Sequence, residues 1–300
     1  MKENFLIVCE GFNTLPFRAC LLIFCILILC GFCISCTGRS SSRSLPESSI
    51  ENNSETNNAA AQNQDTEGFI RDYWHVYFER ANLPDYIIEN IISHLVLGPD
   101  FLMELLSILD GDPSLYILVD KQHALSQDHA PDDLAELTGG AYSVTRQDLM
   151  LRRPAAEALE AMARAARLDG ITLTAASAYR SYNYQVNTYN NWVRELGQEA
   201  ADLVSARPGH SQHQLGLTLD FYPINDNFAG TTASGWLEQN AARFGWSLSY
   251  PKGYEDITGY QWESWHYRYA GAELAEFIDK YFDNIQQYAL QFIHAYRNME

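Results

Sequence analysis

A chain of 300 residues with 47% hydrophobic side chains can bury one good-sized core, with or without a small appendage. Its net charge of −18 argues against a nucleic-acid partner, because replacing phosphate counterions takes clustered Lys and Arg, and it offers no polybasic contact for anionic lipid. All six cysteines fall between positions 9 and 36, so the body has no disulfide and no thiolate metal site, and any metal must be held by nitrogen and oxygen.

At the amino terminus an apolar run, Leu21–Phe32, follows Lys2 and Arg18 and gives way to Cys33-Ile34-Ser35-Cys36 and then polar Thr37-Gly38-Arg39. This length suits a signal-peptide core, although counting from Phe17 to Ile34 allows a membrane span. The small Ser35 before Cys36 resembles a bacterial lipobox, with Cys33 where that pattern prefers Leu. Residues 1–36 are therefore read as a signal or lipoprotein signal. A signal anchor and a secreted product are the alternatives; all three put the body outside the cytoplasm, and a membrane-anchored lipoprotein of the cell envelope is the expected form.

Residues 37–66 are dominated by Ser, Asn, Thr, Gln and Glu and bury too little to offset their ordering entropy, which predicts a flexible tether. Residues 67–112 form a helical region. Phe69, Tyr73, Val76 and Tyr77, then Ile87, Ile88, Ile91, Ile92 and Leu95, recur at helical spacing, with Pro84 before the second helix and a third over Phe101–Leu109. From 113 to 300 lies the main domain. Tyr116–Val119 reads as a buried strand, and Pro154–Leu168 as a helix opened by proline and ended by Gly170. Ile171–Ser177 reads as a strand, and Tyr182–Leu196 as a helix closed by Gly197. In the strand Leu217–Phe221 the apolar residues alternate with Thr218 and Asp220, which face the other way. A helix near Ser234–Phe244, a strand over Trp265–Tyr269 and a last helix from Ala272 into the 290s follow. Helices lead and strands come late without βαβ alternation, an α+β pattern.

The chemistry gathers late in the chain. Ser211-Gln212-His213-Gln214-Leu215-Gly216-Leu217-Thr218-Leu219-Asp220 and Glu263-Ser264-Trp265-His266 supply two imidazoles and a carboxylate as possible zinc ligands, with a spare acid beside the last. Three protein ligands and one open position are the usual make-up of a catalytic zinc site, and a free carboxylate nearby can deprotonate water there. Spacing alone proves little: with 8 His and 38 acidic residues, about one His has an acid seven places on by chance. Context raises the signal. His213 lies in a loop opened by Pro208-Gly209, Asp220 lies on the next strand, and His266 shares a strand face with Arg268.

Three segments carry a family resemblance: Tyr179-Arg180-Ser181 with Gln185; Arg207-Pro208-Gly209-His210-Ser211 through His213 to Asp220; and Glu263-Ser264-Trp265-His266-Tyr267-Arg268-Tyr269. Over roughly residues 115–272 the chain resembles the VanY-type D-alanyl-D-alanine carboxypeptidases, in the wider zinc family that includes lysostaphin-type peptidases and the hedgehog signalling domain. The resemblance implies a hedgehog/D,D-peptidase-like α+β fold with a small central antiparallel sheet flanked by helices, and a zinc peptidase domain over 113–300. It implies Zn²⁺ on His213, Asp220 and His266, and Glu263 as the base that takes a proton from water and returns it to the leaving amine. It implies Arg180 as the planar cation for the peptide's terminal carboxylate, with Ser211 and Gln185 bonding substrate. His210 is read as a loop or supporting residue. The implied reaction is removal of the C-terminal D-alanine from peptidoglycan stem peptides. An L,D-carboxypeptidase acting on tetrapeptide stems, and a non-catalytic wall-binding lipoprotein with a retained metal site, are the alternatives; Glu263 and Arg180 together favour the enzyme. Oligomeric state is unreadable.

Overall fold

The computed structural model describes residues 52–298, with side chains from 65 onward. The signal segment and residues 37–51 lie outside the described residues. Contacts divide the chain into two compact units: residues up to His75 with Glu89–Leu106, and Val76–Ile88 with Ser107 onward. Three helices, α1 (Asn52–Arg80), α2 (Asp85–Leu97) and α3 (Asp100–Asp110), open the described chain. The polar tether expected over 37–66 is thus helical from Asn52. Residues 52–66 contain no Gly or Pro and include Ala59-Ala60-Ala61, so the backbone favours helix even where no apolar face demands burial. Within the first unit Ile70, Trp74, Ile91, Leu95 and Phe101 are buried, and Trp74 meets Phe101 edge-on at 5.8 Å. No single helix among the described residues is long and apolar enough to cross a membrane.

The second unit is built on a five-stranded sheet in the order β2-β4-β5-β7-β6, comprising β2 (Ser143–Val144), β4 (Thr174–Ser177), β5 (Thr218–Phe221), β6 (Trp246–Leu248) and β7 (His266–Tyr269). A separate ribbon pairs β1 (Leu134–Glu136) with β3 (Met150–Arg152). The architecture is α+β, as the sequence pattern implies. The sheet is antiparallel except for the β2–β4 pair, which is parallel.

Helix α4 (Arg153–Leu168) presents Ala155, Leu159, Met162, Ala163 and Ala166 on one stripe, all fully buried. They join a core with Leu217, Leu219, Phe221 and Tyr267 from the sheet, and Trp236 and Leu237 from α7 (Thr232–Asn240). Phe221 anchors it, stacked on Phe228 at 6.2 Å and edge-on to Tyr267 at 5.7 Å. The chain returns through α5 (Tyr182–Leu196), α6 (Gln198–Val204), the short α8 (Glu255–Thr258) and two final helices. Ser181 caps α5 by accepting from Tyr184 N at 3.2 Å.

Two sequence expectations change. The expected strand at Tyr116–Val119 is a 3-10 turn, Pro113–Tyr116, followed by unpaired extended chain. Here a side chain, not a neighbouring strand, reaches the backbone: fully buried Arg268 donates to Ile117 O at 3.0 Å and to the adjoining Leu115 O at 2.9 Å. The single last helix is two, α9 (Ala272–Phe282) and α10 (Gln286–Arg297), broken where Asp283 and Asn284 take φ of 52° and 58°. Strand β6 lies in a stretch with no sequence expectation; three residues are too few for alternation to register.

Candidate metal centre and its cleft

Strands β5 and β7 pair with Asp220 opposite His266 and Thr218 opposite Arg268. Residues directly opposite share a face, so the second ligand and the third are adjacent by register alone. His213 comes from the loop before β5, on the 3-10 turn Gln212–Leu215. Gly216 ends that turn at φ 68°, and a Cβ there would lie 3.0 Å from the Leu134 side chain. The loop reaches β5 this tightly only because the residue is glycine.

The three side chains converge. His213 Nδ1 lies 2.7 Å from Ala178 O, so it carries the proton and donates, leaving Nε2 with its lone pair free. That Nε2 is 3.2 Å from Asp220 Oδ2, and His266 Nδ1 is 3.1 Å from Asp220 Oδ1. One ligand atom from each residue lies within 4.8 Å of the others. Bonds of about 2.1 Å in a tetrahedral zinc site separate ligand atoms by about 3.4 Å, close to these spacings. All three side chains are at most 6% exposed. His213 Nε2 and Asp220 Oδ1 are buried without a hydrogen-bond partner, a costly state that a cation relieves. The donor set and its unpaired acceptors fit Zn²⁺.

Electrostatics agree. Burial, and then the charge of Arg180, hold His213 down to about 4, in the neutral form that metal ligation needs. For Asp220 burial opposes ionisation, but His213 and His266 outweigh it and keep the acid well below the usual carboxylate range. Burial also opposes charging of His266, yet the neighbouring carboxylates of Asp220 and Glu263 raise it to about 9 in the metal-free cluster.

A cleft of about 510 Å³ opens over these ligands. Glu263 borders it, with Oε2 at 3.0 Å from His266 Nδ1 and its backbone N donating to Tyr250 O at 3.0 Å. Arg180 borders it from the other segment; its backbone N donates to His213 O at 3.2 Å, and its Nε is buried and unpartnered. Ser211 also lines the cleft. Gln185 does not. It is 1% exposed, and its Nε2 donates to Ala206 O at 2.7 Å, so this amide ties α5 to the segment after α6 instead of facing the cleft. His210 stays outside the cluster, its Nδ1 2.7 Å from Asp120 O.

Other groups around the centre escaped sequence reasoning. Tyr250 packs on His266 at 4.6 Å and on Tyr260 at 4.8 Å, walling the metal from one side. Lys121 Nζ sits 3.5 Å from the Tyr260 ring centroid and closes that stack. Tyr250 follows the unexpected strand β6, and only recognition of that strand brings it near.

The sequence profile of the VanY D-alanyl-D-alanine carboxypeptidase family matches residues 148–272, which include all three ligands and Glu263. The "Putative carboxypeptidase YodJ" of Bacillus subtilis (strain 168) is 34% identical over 197 residues, covering 61% of this chain and 72% of that protein. A D-alanyl-D-alanine carboxypeptidase of Enterococcus faecalis (strain ATCC 700802 / V583) is 37% identical over 120 residues, covering 37% of this chain and 45% of that protein. Among solved structures, the LdcB LD-carboxypeptidase is 34% identical with a TM-score of 0.51, covering 56% of this chain and 85% of that one. A buried His-Asp-His cluster fit for zinc, a carboxylate at its edge and these relatives lead to one conclusion: the chain belongs to the VanY family of D-alanyl-D-alanine carboxypeptidases and is a zinc metallocarboxypeptidase.

Proposed function

We propose that the enzyme removes the terminal D-alanine from peptidoglycan stem pentapeptides, as a D,D-carboxypeptidase, through residues 113–300. The observation that carries this reading is the buried, unpartnered Arg180 Nε at a cleft that also holds the metal cluster and Glu263. A guanidinium is planar, stays charged at any working pH and matches a carboxylate through two parallel bonds. Arg180 receives the free carboxylate of the last residue and orients the scissile amide toward the cluster. When bound, Zn²⁺ supplies a Lewis acid for the carbonyl and lowers the pKa of water. Glu263 takes the proton of the attacking water on a carboxylate oxygen and returns it to the departing amine of D-alanine. Ser211, on the cleft wall, bonds the substrate.

The likeness to the LdcB LD-carboxypeptidase favours a second reading, in which D-alanine is removed from tetrapeptide stems. Incubation of purified protein with pentapeptide and tetrapeptide muropeptides, with and without chelator, separates the two. Loss of alanine from neither in the presence of zinc would reject both. The Ser35-Cys36 junction supports export and lipid anchoring at Cys36. A palmitate label present on the parent and lost in Cys36→Ala tests that anchoring, and an unlabelled parent refutes it.

A further inference from the structure

The last helix reaches the metal centre through two buried carboxamides that the reaction does not touch. Helix α10 opens with Gln286 and Gln287, 1% and 5% exposed, ahead of buried Tyr288, Ala289 and Leu290. A carboxamide taken out of water costs free energy unless its donors and acceptor find partners. Gln286 finds them on the two segments that carry the histidine ligands. Its Oε1 accepts from Gln212 Nε2 at 3.3 Å, and its Nε2 donates to Ser247 O, on β6, at 3.3 Å. Gln212 immediately precedes His213 on the 3-10 turn, and its own Oε1 accepts from Ser249 Oγ at 2.8 Å. Ser249 in turn donates its backbone N to His266 O at 3.1 Å. Three buried polar side chains, those of Gln212, Ser249 and Gln286, thus tie the neighbour of one imidazole ligand to the backbone of the other.

Gln287 takes hold three residues before His213. Its Nε2 donates to Asp120 Oδ2 at 2.9 Å, and Asp120 O accepts from His210 Nδ1 at 2.7 Å. The loop that delivers His213 is therefore gripped at His210 and at Gln212 from adjacent residues of one helical turn. Both glutamines lie beyond residues 148–272, the stretch that matches the family profile. We infer that Gln286 and Gln287 are positioning residues for the zinc ligands: the first turn of α10 fixes His213 relative to His266 before the ion arrives. Ligands already in place lose less freedom when they bind, so the ion is held more tightly than the same three side chains on a looser loop would hold it. This assignment does not depend on which peptide is cut, so it stands even if the D-alanine reading fails.

Zinc alone, titrated into the intact metal-free protein against a chromophoric chelator, tests this. Gln286→Met keeps most of the side-chain volume and removes both of its bonds, and zinc affinity is expected to fall about tenfold, the low end of what partners around metal ligands contribute. Gln287→Leu is expected to lower it as well. Ser249→Ala removes one hydroxyl from the same cluster and is expected to act in the same direction, which keeps the test open if the larger change does not fold. The triple variant Gln212→Met, Ser249→Ala, Gln286→Met separates positioning from mere structure. Replacing a whole set of hydrogen-bond partners by apolar groups of similar shape is nearly neutral for stability. The melting temperature of the metal-free triple variant is therefore expected to return toward the parent's while its zinc affinity stays low. Parental zinc affinity in either glutamine variant or in Ser249→Ala, or an affinity that recovers together with the melting temperature in the triple variant, overturns the assignment.

Discussion

Replacing Glu263 by Gln distinguishes a proton-transferring acid from a fourth metal ligand, and the geometry sets the direction of both effects. Glu263 Oε2 lies 3.0 Å from His266 Nδ1, the atom that also faces Asp220. The two carboxylates lift His266 to about 9 against the opposition of burial. At pH 7 zinc must therefore displace a proton from His266, which weakens its apparent affinity. Glu263→Gln keeps the shape and removes one of the charges holding that proton. Apparent zinc affinity at pH 7 is then expected to hold or rise, and fewer protons are released per zinc. Turnover falls by about 10²–10⁴, the usual contribution of a positioned general base. Calorimetric titration in buffers of different ionisation enthalpy counts the protons, metal analysis gives occupancy, and alanine release from a pentapeptide gives the rate. A tenfold loss of zinc affinity, or occupancy well under one per chain, would refute the reasoning and make Glu263 a ligand.

The same cluster and its surroundings set further expectations. Arg180→Ala is expected to raise KM by ten- to a hundredfold, and Arg180→Lys to restore little of it, because an ammonium lacks the forked match to a carboxylate; KM unchanged in Arg180→Ala would detach this residue from the substrate. Chelation is expected to abolish turnover and lower the melting temperature, both restored by zinc, since an ion that binds only the folded chain stabilises it; activity that survives metal-free dialysis would contradict the centre. In the metal-free protein the two imidazoles act in opposite directions. His266, raised to about 9, stabilises fully below its unfolded value and loses that contribution as pH climbs through about 9. His213, lowered to about 4, costs stability as pH falls from about 6.5 through 4. Melting of the chelated protein is thus expected to peak near pH 6.5, and a melting temperature that climbs from pH 7 to 9 would contradict this. Leu219→Ala, at a fully buried position behind the metal strand, is expected to cost about 2–5 kcal/mol in chemical denaturation, and a loss under 1 would misplace the core.

Much of the centre can be read from residue order. Asp220 and His266 sit on alternating strands, so the face each presents follows from period two, and only their pairing needs coordinates. Helix α5 is expected and found over the same residues, Tyr182–Leu196: Gly197 marks its end in the sequence, and the structure adds the Ser181 cap at its start. What could not be read was long-range. The expected strand at Tyr116–Val119 is irregular chain whose Ile117 O, with the adjoining Leu115 O, accepts from Arg268, and nothing local in Tyr116-Ile117-Leu118-Val119 signals a guanidinium arriving from about 150 residues away. Gln185 stands near Arg180 in sequence, yet its amide is drawn inward to Ala206, a fold contact invisible to motif matching. Residues 52–66 show the limit of composition: low apolarity forecasts no core, but it does not forecast coil.

His213 is held at two atoms by one short stretch of chain, its Nδ1 by Ala178 O and its carbonyl by Arg180 N. Anchor and reaction centre are therefore parts of a single rigid caliper. Under the proposed role of Arg180, in which the guanidinium grips a chain end, such a tool measures one residue inward from a free carboxylate. On that reading a peptide whose terminus is tied up in a cross-link offers the jaw nothing to hold, and trimming of ends becomes a matter of measured distance.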